Sequence, residues 1–210
     1  MREPAGTETG EDGGGPKIIF FSDLHNCCHE RECAEILRLM KRARPDLVLC
    51  GGDSVVARPG VSAEPAIRFL CQLAREYPLY IGTGNHEYRM RIYPETYGSA
   101  YPEFREALLG AGAVLLENST DGFICRGTAL KIFGYDMPAR YYSRWHDNEV
   151  PASELKGTFG MPDPEKINIL LAHHPKMIPQ AFAWGADLTL CGHYHGGIIR
   201  LGENRGLISP

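Results

Sequence analysis

The sequence predicts an α/β fold, and three observations support this prediction. Short apolar runs alternate with stretches in which apolar residues recur every three or four positions, as buried strands and amphipathic helices require. Polar clusters rich in Asp, Asn and His directly follow five of the apolar runs. The chain has 210 residues, which is enough for one domain with its own core.

The elements follow one another in a regular order. Residues 18–21 form a continuous β-branched and aromatic run typical of a buried strand, and an amphipathic pattern at 33–40 predicts the first helix. Further strands are predicted at residues 47–50, 79–81, 113–116, 123–125, 130–135, 167–172 and 188–191. Further helices are predicted around residues 67–74, 104–111 and 175–184. The turn at residues 126–127 joins two adjacent strands and indicates a second, more antiparallel layer.

Composition narrows the class of protein. Hydrophobic residues make up 43% and charged residues 23% of the chain, as in soluble globular proteins. The net charge of -4 gives no positive field for nucleic acid, so no nucleic-acid partner is expected. No apolar run approaches the ~20 residues of a membrane span. We therefore expect a cytoplasmic chain without a membrane segment; if the sequence is a fragment, membrane association is the alternative.

The domain organisation is predicted to be simple. Residues 1–16 are polar and glycine-rich, which predicts a disordered tail before a single domain at residues 17–210. The seven cysteines contain no C-x-x-C pair. This odd number favours reduced thiols over a disulfide framework. Adjacent cysteines seldom chelate one ion, so a metal role for Cys27 and Cys28 is not favoured.

Five polar clusters lie at the ends of predicted strands. They are SDLH at 22–25, GGDS at 51–54, GTGNHE at 82–87, HHP at 173–175 and GHYHGG at 192–197. Because the C-terminal ends of strands in an open α/β sheet line one crevice, these clusters should converge in space. Imidazole, carboxylate and amide groups without a required thiolate suit Mn, Fe, Zn or Co.

The candidate ligands are too many for one ion. They are Asp23, His25, Asp53, Asn85, His173, His193 and His195. This number suits two ions about 3.5–4 Å apart that share a carboxylate. Asp53 fits the shared position because the preceding glycines allow a tight turn at the strand end. A lone Asp-x-His or Gly-Asp carries little weight, but the order and spacing of all the clusters favour a metal site.

The ordered motifs D-x-H, G-G-D, G-N-H-E, L-x-H-x-P and G-H-x-H-G-G resemble those of the calcineurin-like metallophosphoesterase superfamily. The resemblance runs from about Lys17 to the chain end. The segments GHYHGGIIRL and GLISP are similar to the bacterial branch of small, broad-specificity and often membrane-anchored phosphoesterases. The resemblance implies a four-layer α/β/β/α sandwich with two mixed sheets. Relatives continue beyond GLISP with further strands, so we expect a C-terminally truncated domain.

The resemblance also implies a role for each site residue. The first metal would be held by Asp23, His25 and His195, the second by Asn85, His173 and His193, with Asp53 bridging. His86 would be catalytic and face the leaving group, and Asn85 would also fix its loop. The spacing of L-x-H-x-P selects His173 over His174, although a strand register shifted by one residue would exchange them.

The implied function is hydrolysis of phosphomonoester, phosphodiester or pyrophosphate bonds by a hydroxide that bridges two divalent transition-metal ions. The substrate would be a phosphoester small molecule, lipid or nucleotide, with Tyr88, Arg89 and Tyr194 as candidate contacts. The alternative is a catalytically silent scaffold of the same fold. It is disfavoured because every matched position is filled. Val56 stands where purple acid phosphatases have a metal-binding tyrosine, so that branch is not supported.

Overall fold

The computed structural model describes residues 14–26, 30–142, 150–195, 199–200 and 206–208. Most of the predicted tail lies outside the described residues. So do Cys27, Cys28 and the final two glycines of the GHYHGG motif.

The first sheet contains four parallel strands in chain order. They are β1 (Ile18–Phe21), β2 (Leu47–Cys50), β3 (Leu79–Gly82) and β4 (Val114–Leu116). The intervening and following helices are α1 (Glu30–Ala43), α2 (Glu64–Glu76), α3 (Asn85–Ile92), α4 (Pro94–Tyr97) and α5 (Ala100–Gly110). Every residue of β2 and β3 is buried, which explains their continuous apolar sequence.

The second sheet is mixed. An antiparallel hairpin of β5 (Ser119–Cys125) and β6 (Thr128–Tyr135) continues in parallel to β7 (Ile167–Ala172) and β8 (Leu188–Leu190). Helices α6 (Glu154–Phe159) and α7 (Ile178–Trp184) accompany it, and short 3₁₀ turns lie at Ala139–Tyr142 and Pro175–Met177. A separate antiparallel pair joins β9 (Ile199–Arg200) to β10 (Gly206–Ile208). The predicted α/β class with a second, more antiparallel layer is confirmed.

Three buried apolar clusters separate four layers. Successive residues of a strand face opposite sides of the sheet, so Val48 packs toward the helices of the first sheet while Leu49 packs toward the second sheet. The cluster between the sheets also contains Tyr80 and Ile169, and the outer cluster of the second sheet contains Trp184. The order is therefore helices, sheet, sheet, helices, as the resemblance implied. None of the described helices is both long and apolar enough to cross a membrane.

The two sheets pack tightly near their C-terminal ends. Gly134 of β6 lies directly on Leu116 of β4, where a β-carbon on the glycine would come within 2.6 Å of the Leu116 carbonyl oxygen. Only glycine fits such an approach. The C-terminal ends of β4 and β6 therefore lie against each other.

Candidate metal centre

The loops beyond five strands supply the predicted ligands. Asp23 and His25 follow β1, Asp53 follows β2 and Asn85 begins α3 after β3. His173 follows β7, and the paired His193 and His195 follow β8. The expected convergence of the five polar clusters is therefore present. Its ligands come from both sheets.

One group of ligand atoms lies around Asp23. The Nε2 atoms of His25 and His195 are 2.9 Å apart. Asp23 Oδ1 lies 3.3 Å from the Nε2 atom of His195 and 3.8 Å from that of His25. Together these three residues form one of the clusters whose geometry can hold a metal ion.

A second group lies around Asp53, His173 and His193. The Nε2 atom of His173 is 3.1 Å from Asp53 Oδ2, and the Nδ1 atom of His193 is 3.1 Å from the amide oxygen of Asn85. Asp53 Oδ2 also lies 3.8 Å from His25 Nε2 in the first group. Asp53 Oδ2 therefore lies within 4 Å of a histidine of each group, and Asp23 Oδ1 of the first group is likewise 3.8 Å from His173 Nε2.

The backbone at the ligands is unusual. Five of the seven predicted ligands have positive φ, a region that residues other than glycine seldom adopt. They are Asp23 (60°), His25 (47°), Asp53 (50°), His193 (74°) and His195 (49°). Such conformations cost of order 1–3 kcal/mol each and concentrate at functional sites. These strained residues are among those whose side chains meet at the site.

The glycines of the motifs allow these loops to touch. A β-carbon on Gly52 would lie 2.6 Å from the carbonyl carbon of Thr83, and one on Gly84 would lie 2.5 Å from the Asp53 nitrogen. A β-carbon on Gly192 would collide with Ser22 and Asp23. The glycines therefore have a steric role between neighbouring loops as well as a role in turn formation.

Glu87 supports the site and was not among the residues selected from the sequence. It is fully buried, and its carboxylate accepts hydrogen bonds from the backbone N–H groups of Asp53, Ser54, Val55 and Gly84. Burial and the charge of Asp53 raise the pKa of Glu87 to about 7, although the Gly84 hydrogen bond lowers it. In the sequence, the acidic residue at the end of the G-N-H-E motif is the only indication that Glu87 supports the loop of Asp53.

The electrostatics of the ligands depend on their neighbours. Burial raises the pKa of Asp23, but the nearby imidazoles of His25 and His173 outweigh it and lower the pKa to about 2. Burial lowers the pKa of His173, but the adjacent carboxylate of Asp53 and the charge of Asp23 raise it to about 9. Without a metal ion, these carboxylates therefore favour a proton on the histidine between them.

His86 lies beside the ligands. Its Nε2 atom is 3.9 Å from Asp53 Oδ2, and its ring meets that of His25 edge-on at 4.9 Å. The backbone N–H of Ala57 donates to His86 Nδ1 at 2.7 Å, which leaves Nε2 to carry the proton. Burial lowers the pKa of His86. The neutral ring thus offers an Nε2–H donor to the crevice.

His174 differs from its neighbour His173. Its Nδ1 atom accepts from the backbone N–H of Lys176, and its ring stacks on that of His193 at 4.2 Å. Burial and the neighbouring charge of His193 lower its pKa to about 3. His173 joins a cluster able to hold a metal ion, whereas His174 packs behind that cluster.

The candidate substrate contacts have different surroundings. Tyr194 is 37% exposed, and its ring lies 5.4 Å from that of His174 and 5.5 Å from that of His193. Arg89 is exposed, while the ring of Tyr88 lies under the guanidinium of Arg91 at 5.3 Å. Tyr194 is therefore the candidate whose ring contacts a predicted ligand.

The donor set fits divalent transition-metal ions. His173 Nε2 is buried without hydrogen-bond geometry to any described partner, although it faces Asp53 Oδ2 at 3.1 Å. A buried polar atom without a partner is costly, and a cation between these two atoms would remove that cost. Imidazole, carboxylate and amide ligands suit Mn, Fe, Zn or Co.

The fold and site define an α/β sandwich with histidine–carboxylate clusters that could hold metal ions. A family model for the calcineurin-like phosphoesterases matches residues 16–197, and the chain belongs to this family. The chain is 30% identical over 200 residues to the uncharacterised protein YpbG of Bacillus subtilis. It is 27% identical over 200 residues to the phosphodiesterase YaeI of Escherichia coli.

These relatives are longer than the chain. Each alignment covers 91% of the chain, but only 66% of YpbG and 65% of YaeI, so the chain spans just under two thirds of their length. The crystal structure of the phosphopantetheinyl hydrolase PptH from Mycobacterium tuberculosis has the same fold, with a TM-score of 0.54 and 15% identity. The match covers 92% of the chain and 88% of PptH.

Proposed function

We propose that the protein is a hydrolase of phosphoester bonds that uses two divalent transition-metal ions. The observation that carries the proposal is the pair of ligand groups joined by Asp53, whose Oδ2 lies 3.8 Å from His25 Nε2 and 3.1 Å from His173 Nε2. Family membership supports the same reaction class.

The assignment of ligands follows the two groups. Asp23, His25 and His195 would hold one ion, Asn85, His173 and His193 would hold the other, and Asp53 would contact both. When bound, the two ions would lower the pKa of water and offset the negative charge of the phosphate oxygens. No thiolate of the described residues lies in these clusters, so the ligands are nitrogen and oxygen atoms throughout.

His86 would act on the leaving group. The Ala57 N–H fixes the ring so that the Nε2–H is the available donor, and burial favours the neutral ring. A hydrogen bond from Nε2–H to the departing oxygen would stabilise the charge that develops there, an effect worth about 10²–10⁴-fold when the proton is transferred. Asn85 precedes His86 at the start of α3, so its contact with His193 also anchors the turn that aims His86.

The proposed substrate class rests on the reaction class of the family and not on a defined substrate pocket. YaeI is named a phosphodiesterase, so diesters are the first substrates to test. Tyr194 is the proposed contact for the substituent, since it borders His193 and is partly exposed.

The test combines metal analysis with turnover. The purified chain, loaded separately with Mn, Fe, Zn or Co, is assayed with aryl phosphate monoesters and diesters of graded leaving-group acidity. We expect two ions per chain and metal-dependent hydrolysis. His86→Ala should retain the metal content and lose most activity with the poorest leaving groups. A folded, metal-loaded chain that hydrolyses none of these esters would instead favour the silent scaffold.

A further inference from the structure

A cluster of charged side chains lies just beyond β4 and β6. The Arg91 guanidinium of α3 donates to Glu117 Oε1 at 3.0 Å and also contacts the carboxylate of Asp136. The side chain of Asp136 is only 1% exposed. Its backbone N–H donates to Asn118 Oδ1 at 2.8 Å. The residues that follow one strand of each sheet are therefore joined through a cation on a third element.

The two carboxylates depend on Arg91 to different degrees. Glu117 also accepts from the Tyr101 hydroxyl at 2.6 Å and from Arg105 Nε at 2.9 Å. For Asp136, Arg91 is the only cation in contact among the residues that the structure describes. Glu117 is thus held without Arg91, whereas the buried charge of Asp136 is balanced by Arg91.

This contact connects two parts of the candidate metal centre. Helix α3 begins with Asn85 and His86 and carries Arg91 near its other end. In the second sheet, β6 pairs with β7 so that Tyr135 lies opposite Ala172. Asp136 and His173 are the residues that directly follow these neighbouring strands. Arg91 therefore connects α3, which carries His86, to the second sheet, close to the strand end that His173 follows.

We propose that the Arg91–Asp136 ion pair is a positioning device that sets α3 against the second sheet and thereby aligns His86 with His173. Arg91 would be a positioning residue, because it acts through α3. A guanidinium between two carboxylates fixes direction as well as distance, since its N–H donors form a rigid fork. A buried ion pair adds little stability over an apolar pair of the same volume, which leaves geometry as its contribution.

The activity part of the test rests on the proposed phosphoesterase function. Arg91→Met alone would leave Asp136 buried and unpaired, so the informative variant is Arg91→Met combined with Asp136→Asn. It removes both charges and should unfold within a few degrees of the wild-type chain. Arg105→Ala is the matched control. Arg105 lies on α5 and pairs with the same Glu117, and no contact joins it to Asp136 in the part of the chain that the structure describes.

We expect the double variant to lose about 10–100-fold in kcat, as small displacements of catalytic groups do. The loss should be largest for poor leaving groups, with KM nearly unchanged. Hydrogen exchange of the α3 amides should become faster, while Arg105→Ala should match the wild type in both measurements. If the double variant does not fold, Asp136→Asn alone should show the same changes to a smaller extent.

Several results overturn the proposal. These are wild-type kcat with unchanged exchange in α3, or an equal loss of kcat in Arg105→Ala. A loss of kcat and stability in Arg91→Met that is fully restored in the double variant would also show that the pair serves only the fold. If the wild-type chain hydrolyses no ester, the proposed function fails, and the exchange of the α3 amides alone decides whether the ion pair positions the helix.

Discussion

Alanine substitutions of His173 and His174 should separate ligation from packing. Both residues are buried, with 2% and 4% exposure, so truncation removes similar packing from each position. His173 Nε2 faces Asp53 Oδ2 at 3.1 Å, whereas His174 hydrogen-bonds the Lys176 N–H and stacks on His193. The two variants therefore differ mainly in whether a ligand atom is lost.

The magnitude follows from these contacts. Outer partners of a metal ligand are worth about 10–100-fold in affinity, so loss of a ligand should exceed about 100-fold, or roughly 2.7 kcal/mol. His173→Ala should therefore lose the second ion at micromolar metal. His174→Ala should keep both ions and weaken binding by at most about tenfold, because it loses only the support of the His193 ring.

The assay is titration of the metal-depleted chain with Mn²⁺ or Zn²⁺ by calorimetry, with metal content measured by atomic emission. Thermal unfolding of each metal-free variant checks that both still fold. Two ions in His173→Ala and one in His174→Ala would refute the assignment and indicate a strand register shifted by one residue.

Four further predictions concern the same site. Because the pKa of His173 is raised from 6.5 to about 9, a metal ion must displace its proton, so affinity should fall about tenfold per pH unit as pH drops below 9. In the metal-free chain the same raised pKa stabilises the fold below pH 6.5, and the unfolding free energy should fall as pH rises toward 9. Calorimetry in buffers of different ionisation enthalpy measures the proton release on metal binding, and unfolding at several pH values measures the change in stability. Glu87→Ala leaves four backbone N–H groups without their acceptor. It should lower the free energy of unfolding, measured in urea, by more than about 3 kcal/mol and should also weaken metal binding. Gly84→Ala places a β-carbon against Asp53 and should abolish metal binding. The control Gly157→Ala lies in open space within α6 and should stabilise the fold by roughly 0.5–1 kcal/mol. Equal metal binding by the two variants would contradict the steric argument.

The sequence pattern predicted which segments form strands better than it predicted where each strand begins and ends. Residues 47–50 are predicted and found as a buried strand, because both faces of β2 are covered and every residue is apolar. The strand predicted at 123–125 begins earlier, at Ser119. The pattern missed its first residues because they are polar and not buried, although they pair with β6. Apolar periodicity does not detect such residues, because it registers burial rather than backbone pairing.

The candidate site shows the same division. Its ligand residues could be selected from motif order because each follows a strand end, and parallel strands bring those ends together. The contacts of Glu87 and the ion pair of Arg91 with Asp136 could not be selected. They depend on how α3 lies against other elements, and no local pattern records the distance between residues 91 and 136.

The ligands that meet at this centre are far apart along the chain. His25 and His195, whose Nε2 atoms are 2.9 Å apart, are separated by 170 residues. During synthesis, a ribosome-bound chain that has exposed only the first sheet therefore presents Asp23, His25 and Asp53 without their histidine partners from the second sheet. Such a chain can offer only an incomplete, weak site. Metal loading should thus be a late event in biogenesis, coupled to docking of the second sheet, and an ion that binds only the assembled site should favour that docking by mass action.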